Sequence, residues 1–124
     1  MEKVRGNVLV VEDDADCGRL LTEFLTFHGY GVRWVQSRDA AVTALRRYLY
    51  DHIILDVSMR GMTLEGFFND VRLDREKVVL MSAICDPKSV ASTLGLTHWL
   101  KKPFDPHDLL DIFKSGSTPI PQAR

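Results

Sequence analysis

Four short clusters hold the side chains that could do chemistry. Glu12, Asp13 and Asp14 follow the apolar run from Asn7 to Val11. Asp56 and Ser58 follow the run His52 to Leu55, Ser82 follows Lys77 to Met81, and Lys101, Lys102 and Pro103 close the segment that opens at Thr97. Carboxylates side by side push one another toward protonation. A hard cation between them removes that penalty, and Mg²⁺ suits the purpose: it takes one or two carboxylates, keeps several waters and accepts phosphate oxygens. A lysine and a hydroxyl complete a phosphoryl-binding set. A carboxylate inside that set can attack phosphorus and carry an aspartyl phosphate. Taken singly, each acid reads equally well as a helix N-cap favoured by the helix dipole. Ser82 alone reads as a turn residue and Lys102 alone as a solvated charge. The ordered combination at four run ends is what points to chemistry.

For these groups to meet, the runs that carry them must share one edge of a sheet. The apolar pattern alternates between strand-length runs and helical periods. Strands are expected at 7–11, 32–35, 52–55, 77–81 and 97–101. Helices are expected over 14–28, from an N-cap at Ser37 through Leu49, over about 64–72, over 87–94 and from Asp105-Pro106 to about Phe113. In the first helix Leu20, Leu21, Phe24, Leu25 and Phe27 form the apolar face, and Gly29 ends it. In the second, Ala40, Ala41, Ala44, Leu45 and Tyr48 point inward. Asp86-Pro87 and Asp105-Pro106 each place an acid cap before a proline in the first helical turn. Alternating strands and helices argue for a doubly wound, five-stranded parallel sheet with five helices in three α/β/α layers. In strand order 2-1-3-4-5 the acids of the first and third strands are neighbours at the carboxyl edge, where such sheets bind ligands.

The bulk properties are those of one ordinary domain. The chain has 124 residues, 45% of them hydrophobic and 27% charged, with net charge −1 from 16 basic and 17 acidic side chains. That balance suggests no direct nucleic-acid partner and no attraction to a membrane surface. No apolar run is long enough to span a bilayer, and the first residues lack a secretion-signal core, so a cytoplasmic location is expected. Residues 1–114 read as the domain and 115–124 as a flexible tail or linker. Cys17 and Cys85 read as plain small side chains, although Cys85 lies near the functional edge. His28, His52, His98 and His107 lack ligand spacing and read as surface or edge residues. Trp34 reads as half-buried packing.

The motifs V-L-V-V-E-D-D, I-I-L-D-V-S-M-x-G-M, V-V-L-M-S-A and W-L-K-K-P-F, in this order from about Val8 to Phe113, resemble the receiver domains of two-component response regulators, which have a flavodoxin-like fold. The resemblance implies that Asp56 is the phosphoacceptor and that Mg²⁺ is the cofactor. It implies a metal site of Asp13 as direct ligand, Glu12 acting through water, Asp56, and the backbone carbonyl of Ser58. Ser82 matches the switch hydroxyl, Lys102 the lysine that pairs with the phosphoryl group, and Trp99 the switch aromatic. A cis Lys102–Pro103 bond is implied too. The implied partners are a sensor histidine kinase or phosphotransfer protein and a downstream output protein or domain, with homodimerisation compatible. The chain would then be a signalling phosphoacceptor rather than a turnover enzyme, limited to self-catalysed phosphotransfer and slow autodephosphorylation.

Departures from the pattern matter as well. Arg60 stands where proline is usual, the following loop G-M-T-L-E-G is long, and the third helix is expected to be truncated. Trp99 replaces tyrosine or phenylalanine and is read as exposed or partner-binding as readily as a working switch. Ser58 is small, leaving room for a hydrolytic water. The competing readings are a degenerate receiver that docks proteins without phosphorylation and, distantly, an aspartate-nucleophile phosphatase. The latter wants a second acid where Ser58 stands.

Overall fold

The computed structural model describes residues 4–83 and 85–115. All but the first residue of the expected tail, 115–124, lies outside the described residues. Five strands, β1 (Asn7–Val11), β2 (Gly31–Val35), β3 (His52–Asp56), β4 (Val78–Ser82) and β5 (His98–Lys101), form one parallel sheet. Its order is β2-β1-β3-β4-β5, as the positions of the acids require. The helices are α1 (Ala15–Phe27), α2 (Arg38–Arg47), α3 (Leu64–Asp70), α4 (Pro87–Leu94) and α5 (His107–Ser115).

Strand alternation sorts the core into two layers. Leu9, Val11, Ile53, Leu55, Val78 and Leu80 pack with Ala41, Phe67, Phe68 and Ala91 of α2, α3 and α4. Val8, Val10, Ile54, Val79, Met81 and Leu100 pack with Leu21, Leu25, Leu109 and Ile112 of α1 and α5. Glu12 and Asp56 continue the parity of Val8, Val10 and Ile54, so both acids face the α1–α5 side.

Caps define the helix ends as the sequence led one to expect. Asp14, Ser37 and Asp86 each accept hydrogen bonds from backbone N–H groups of the first turn, satisfying donors the helix leaves open. Gly29, with φ +92°, turns the chain after α1.

Some expectations fail at the ends. α2 stops at Arg47 instead of Leu49, because Tyr48 is extended (φ −133°, ψ 152°). Tyr48 is half exposed rather than inward, while Tyr50 enters the core in its place. α3 ends at Asp70 rather than Arg72, since the extended Val71 is buried. A short 3₁₀ turn, Arg75–Lys77, precedes β4. On α1, Phe27 and Leu20 are exposed rather than inward, because the buried stripe narrows to Gly18, Leu21 and Leu25. His98, on the edge strand β5, is buried rather than at the surface, with Nε2 3.6 Å from Glu76 Oε2. His52 stacks on Phe113 at 3.7 Å between ring centres.

Candidate functional site

The register of the sheet brings the acids together. Val10 pairs with Ile54 and Val11 with Leu55, so one further step puts Glu12 opposite Asp56. Asp13 follows on the loop into α1. The structure gathers Glu12, Asp13 and Asp56 so that one carboxylate oxygen of each lies within 4.8 Å of the others. Glu12 and Asp56 are buried, Asp13 half-buried.

Lys102 reaches this cluster from the end of β5. Its Nζ lies 2.5 Å from Glu12 Oε1 and 3.2 Å from Asp56 Oδ2. Its position is fixed by its own N–H, which donates to Ser82 O at 2.7 Å, and the Lys102–Pro103 bond is cis. The other acceptor atoms are also engaged. Asp56 Oδ1 accepts from the backbone N–H and the hydroxyl of Ser58, both at 3.0 Å. Glu12 Oε2 accepts from Asp14 N–H at 3.2 Å. Asp13 Oδ2 accepts from Arg60 N–H at 3.2 Å, with Arg60 Nε 3.6 Å away.

Burial and proximity split the protonation of the two inner acids. Burial, then the hydrogen bond shared with Asp56, pushes Glu12 above the usual carboxylate range despite Lys102. Burial would raise Asp56 as well, but the Glu12 hydrogen bond, the Ser58 N–H and Lys102 outweigh it and hold Asp56 below its ordinary value. Burial lowers Lys102, yet the Glu12 hydrogen bond and the charges of Asp56 and Glu12 more than reverse this and raise it. Asp56 is therefore an ionised carboxylate at neutral pH, buried and facing an ammonium. Cys17, half-buried beside Glu12, is pushed up to about 12 by burial and then by Glu12, so its thiol is protonated and inert.

The acid cluster fits a small hard cation. Oxygens sharing a Mg²⁺ with bonds of about 2.1 Å lie no more than about 4 Å apart, and those of the cluster already lie within 4.8 Å of one another. Glu12, Asp13 and Asp56 supply hard oxygen donors with mutual repulsion to relieve.

Two further residues expected at the edge are placed differently from one another. Ser82 is buried at the end of β4, but its hydroxyl is held by Cys85. It accepts from Cys85 N–H at 3.1 Å, lies 3.0 Å from Cys85 O and lies 3.0 Å from Cys85 Sγ. Trp99 is half-buried against the α2–α4 layer and lines an open recess with Lys101, Phe104 and Asp108.

One contributor was missed in the sequence reading. Trp34 donates its indole N–H to the backbone oxygen of Glu12 at 2.8 Å, pinning the strand end that carries the acids. It lies across Gly18 of α1, where a Cβ would stand 2.0 Å from its ring. A tryptophan on β2 and a glycine in the first turns of α1 were the available signals, but neither carries a functional motif.

The geometry agrees with what the chain resembles. A family model described as the response regulator receiver domain matches residues 8–114. The DNA-binding response regulator MtrA of Mycobacterium tuberculosis is 30% identical over 113 residues, covering 89% of this chain and 50% of the relative. The probable transcriptional regulator ycf27 of Pyropia yezoensis is 27% identical, covering 88% and 46%. The chain thus spans about half the length of these curated relatives. Among solved structures, the chemotaxis response regulator CheY4 of Vibrio cholerae superposes with a TM-score of 0.77 at 26% identity, covering 93% of this chain and 99% of that one. Full-length FixJ from B. japonicum gives 0.78 at 26% identity, covering 98% and 61%. With the sheet order, the gathered acids and Lys102 at the strand ends all following one pattern, the chain belongs to the response regulator receiver domain family of two-component signalling.

Proposed function

We propose that Asp56 accepts a phosphoryl group from a phosphohistidine on a sensor histidine kinase or phosphotransfer protein, or from a small phosphodonor, in a Mg²⁺-dependent reaction. The observation that carries this reading is the buried, ionised Asp56 carboxylate with Lys102 Nζ 3.2 Å away. An Asp56 oxygen forms the new P–O bond as the donor's bond to phosphorus breaks: from phosphohistidine the P–N bond, the imidazole leaving with the electron pair and taking a proton from solvent, and from an acyl phosphate the P–O bond, the carboxylate leaving with it. Lys102 stabilises charge on the transferring group, so positioning and electrostatics supply most of the acceleration. A divalent ion held by Glu12, Asp13 and Asp56 would shield the incoming phosphoryl oxygens from the carboxylates. The backbone carbonyl of Ser58 is a further donor in this reading. The chain would act as a cytoplasmic signalling switch rather than a turnover enzyme. The added phosphoryl oxygens would draw the Ser82 hydroxyl from Cys85 and reshape the surface around Trp99, where an output protein or domain binds. An apolar groove of about 500 Å³ beside Lys102, lined by Cys17, Leu20, Pro103 and Phe104, suits an approaching donor protein.

The test is intact mass after exposure to acetyl phosphate. Wild type with Mg²⁺ gains one phosphoryl group, and Asp56→Asn gains none. Wild type without uptake overturns the proposal. The half-buried Trp99 in its open recess favours a second reading, a docking module independent of phosphorylation. Unchanged partner binding by Asp56→Asn would support it.

Metal binding carries its own pH signature. Because Glu12 is raised in the fold, its neutral form is favoured there. That contribution is complete below the usual carboxylate range and is lost as pH rises through the folded value. Asp56 behaves oppositely: its contribution is present above the ordinary value and lost as pH falls through the lowered one. Mg²⁺ competes with the Glu12 proton, so the stabilisation it gives grows with pH. At a hundredfold excess over Kd it is about 2.7 kcal/mol, or about 10 °C in Tm for a domain of this size. At about pH 5 the same Mg²⁺ concentration is expected to give a smaller increment than at neutral pH. Thermal melts across pH, with Mg²⁺ or with EDTA, check it. An increment independent of pH contradicts the shift assigned to Glu12.

A further inference from the structure

Arg60 is the one cation at the mouth of the acid cluster, among the described residues, that the acceptor reading leaves without a role. It lies four residues after Asp56 on the loop that leads to α3. Its side chain is 92% exposed, yet its backbone N–H and its guanidinium both address the same oxygen, Asp13 Oδ2, at 3.2 and 3.6 Å. Gly61 follows with φ +66° and nothing within 4 Å of where a Cβ would sit, so the chain turns into open space directly after Arg60. The guanidinium is therefore tethered beside the site with room to swing. Lys102 is committed inward to Glu12 and Asp56, whereas Arg60 is held by a single half-buried carboxylate.

We propose that Arg60 shares Asp13 with the divalent ion and, once released from it, is the cation that captures the anionic phosphodonor. This rests on the acceptor reading above. The charge around the site carries the argument. Asp13 and Asp56, joined by Glu12 when it is ionised, set negative charge against Lys102 and Arg60. A neutral residue in place of Arg60 leaves the mouth more negative, which favours a cation and disfavours an anion. A cation that takes Asp13 Oδ2 displaces the arginine, whose N–H and guanidinium both address that oxygen. The freed guanidinium presents a planar fork of N–H donors that matches phosphate oxygens two at a time. Arg60 is thus a specificity-determining residue for the donor and a competitor for the metal.

The experiment compares wild type, Arg60→Ala, Arg60→Lys and Arg47→Ala. Arg47 is exposed at the end of α2, at the sheet edge away from the acids, and controls for net charge. Mg²⁺ titration is followed by tryptophan emission, and the acetyl phosphate concentration for half-maximal phosphorylation is measured at saturating Mg²⁺ by intact mass. For Arg60→Ala, Mg²⁺ binding is expected to tighten about threefold to fivefold, the range of an exposed ion pair, while the acetyl phosphate requirement rises severalfold. Both differences shrink as salt shortens the Debye length. Arg60→Lys recovers part of the donor affinity, and Arg47→Ala stays within twofold of wild type in both assays. Arg60→Ala matching wild type in either assay overturns the proposal, as does an equal response from Arg47→Ala. Wild type that neither binds Mg²⁺ nor gains phosphate fails at the acceptor site itself, a result distinguishable from a silent Arg60 and equally fatal.

Discussion

Lys102→Met is expected to destabilise the metal-free protein by about 3–5 kcal/mol at neutral pH and to slow phosphoryl uptake about a hundredfold. The stability effect comes from what the lysine leaves behind. Glu12 and Asp56 are both buried, and Lys102 Nζ is the side-chain cation bonded to them. Methionine fills much of the same volume, so the change isolates charge from packing. Two facing carboxylates without that ammonium cannot both stay ionised, and Glu12, already raised, takes the proton. Protonation limits the loss, and it costs less as pH falls. The destabilisation should therefore shrink toward about pH 5. Saturating Mg²⁺ should also narrow the gap, because the ion replaces the missing positive charge. Urea unfolding at two pH values, with EDTA or Mg²⁺, reads all three effects. A loss below about 1 kcal/mol that ignores pH would mean the carboxylates do not depend on Lys102.

The elements that position these groups were legible because their signals are local. Apolar runs of three or four residues, acid or serine caps and Gly29 are short-range features, and the strand starts and α1, α2, α4 and α5 follow from them within a few residues. The acids were legible because a parallel sheet sends every strand end to one edge, so Glu12, Asp56 and Lys102 had to meet once the order 2-1-3-4-5 was accepted. What escaped depends on tertiary competition. Tyr48 suits the helical apolar stripe, but the turn into β3 buries Tyr50 and leaves Tyr48 outside. Leu20 and Phe27 have the right period, yet only a narrow stripe of α1 touches the sheet. His98 carries no mark of burial in its neighbours, yet it is buried where β5 pairs with β4. The Ser82 hydroxyl could be assigned to the edge but not to Cys85, since that bond depends on how the β4–α4 loop folds back. Arg60 was visible as a departure from proline, while its contact with Asp13 spans 47 positions, beyond any local pattern.

The same limit applies to Trp34, and it gives a sharp expectation for Gly18→Ala. In an ordinary helix interior this change stabilises by about 0.8–1 kcal/mol, since alanine is the better helix former. Here the added methyl would stand 2.0 Å from Trp34 Cε2, 2.2 Å from Cζ2 and 2.3 Å from Nε1, well inside contact distance. Either the indole or the helix must shift. Moving the indole breaks the N–H bond to Glu12 O, and moving the helix opens the layer built on Leu21 and Leu25. Overpacking costs about 1–3 kcal/mol and a lost buried hydrogen bond about as much again. The net result expected is a destabilisation of about 2–4 kcal/mol, opposite in sign to the propensity rule. A double-mutant cycle with Trp34→Val separates the causes. If the clash is the origin, Gly18→Ala becomes neutral or stabilising once the indole is gone, giving a coupling of at least about 2 kcal/mol. Because Trp34 holds the strand end that carries Glu12, Gly18→Ala alone should also weaken Mg²⁺ binding. Trp34→Val should weaken it too, through the lost hydrogen bond rather than through a clash. Equal destabilisation by Gly18→Ala with and without the tryptophan would place the strain elsewhere in α1 and remove Trp34 from the support of the acid site.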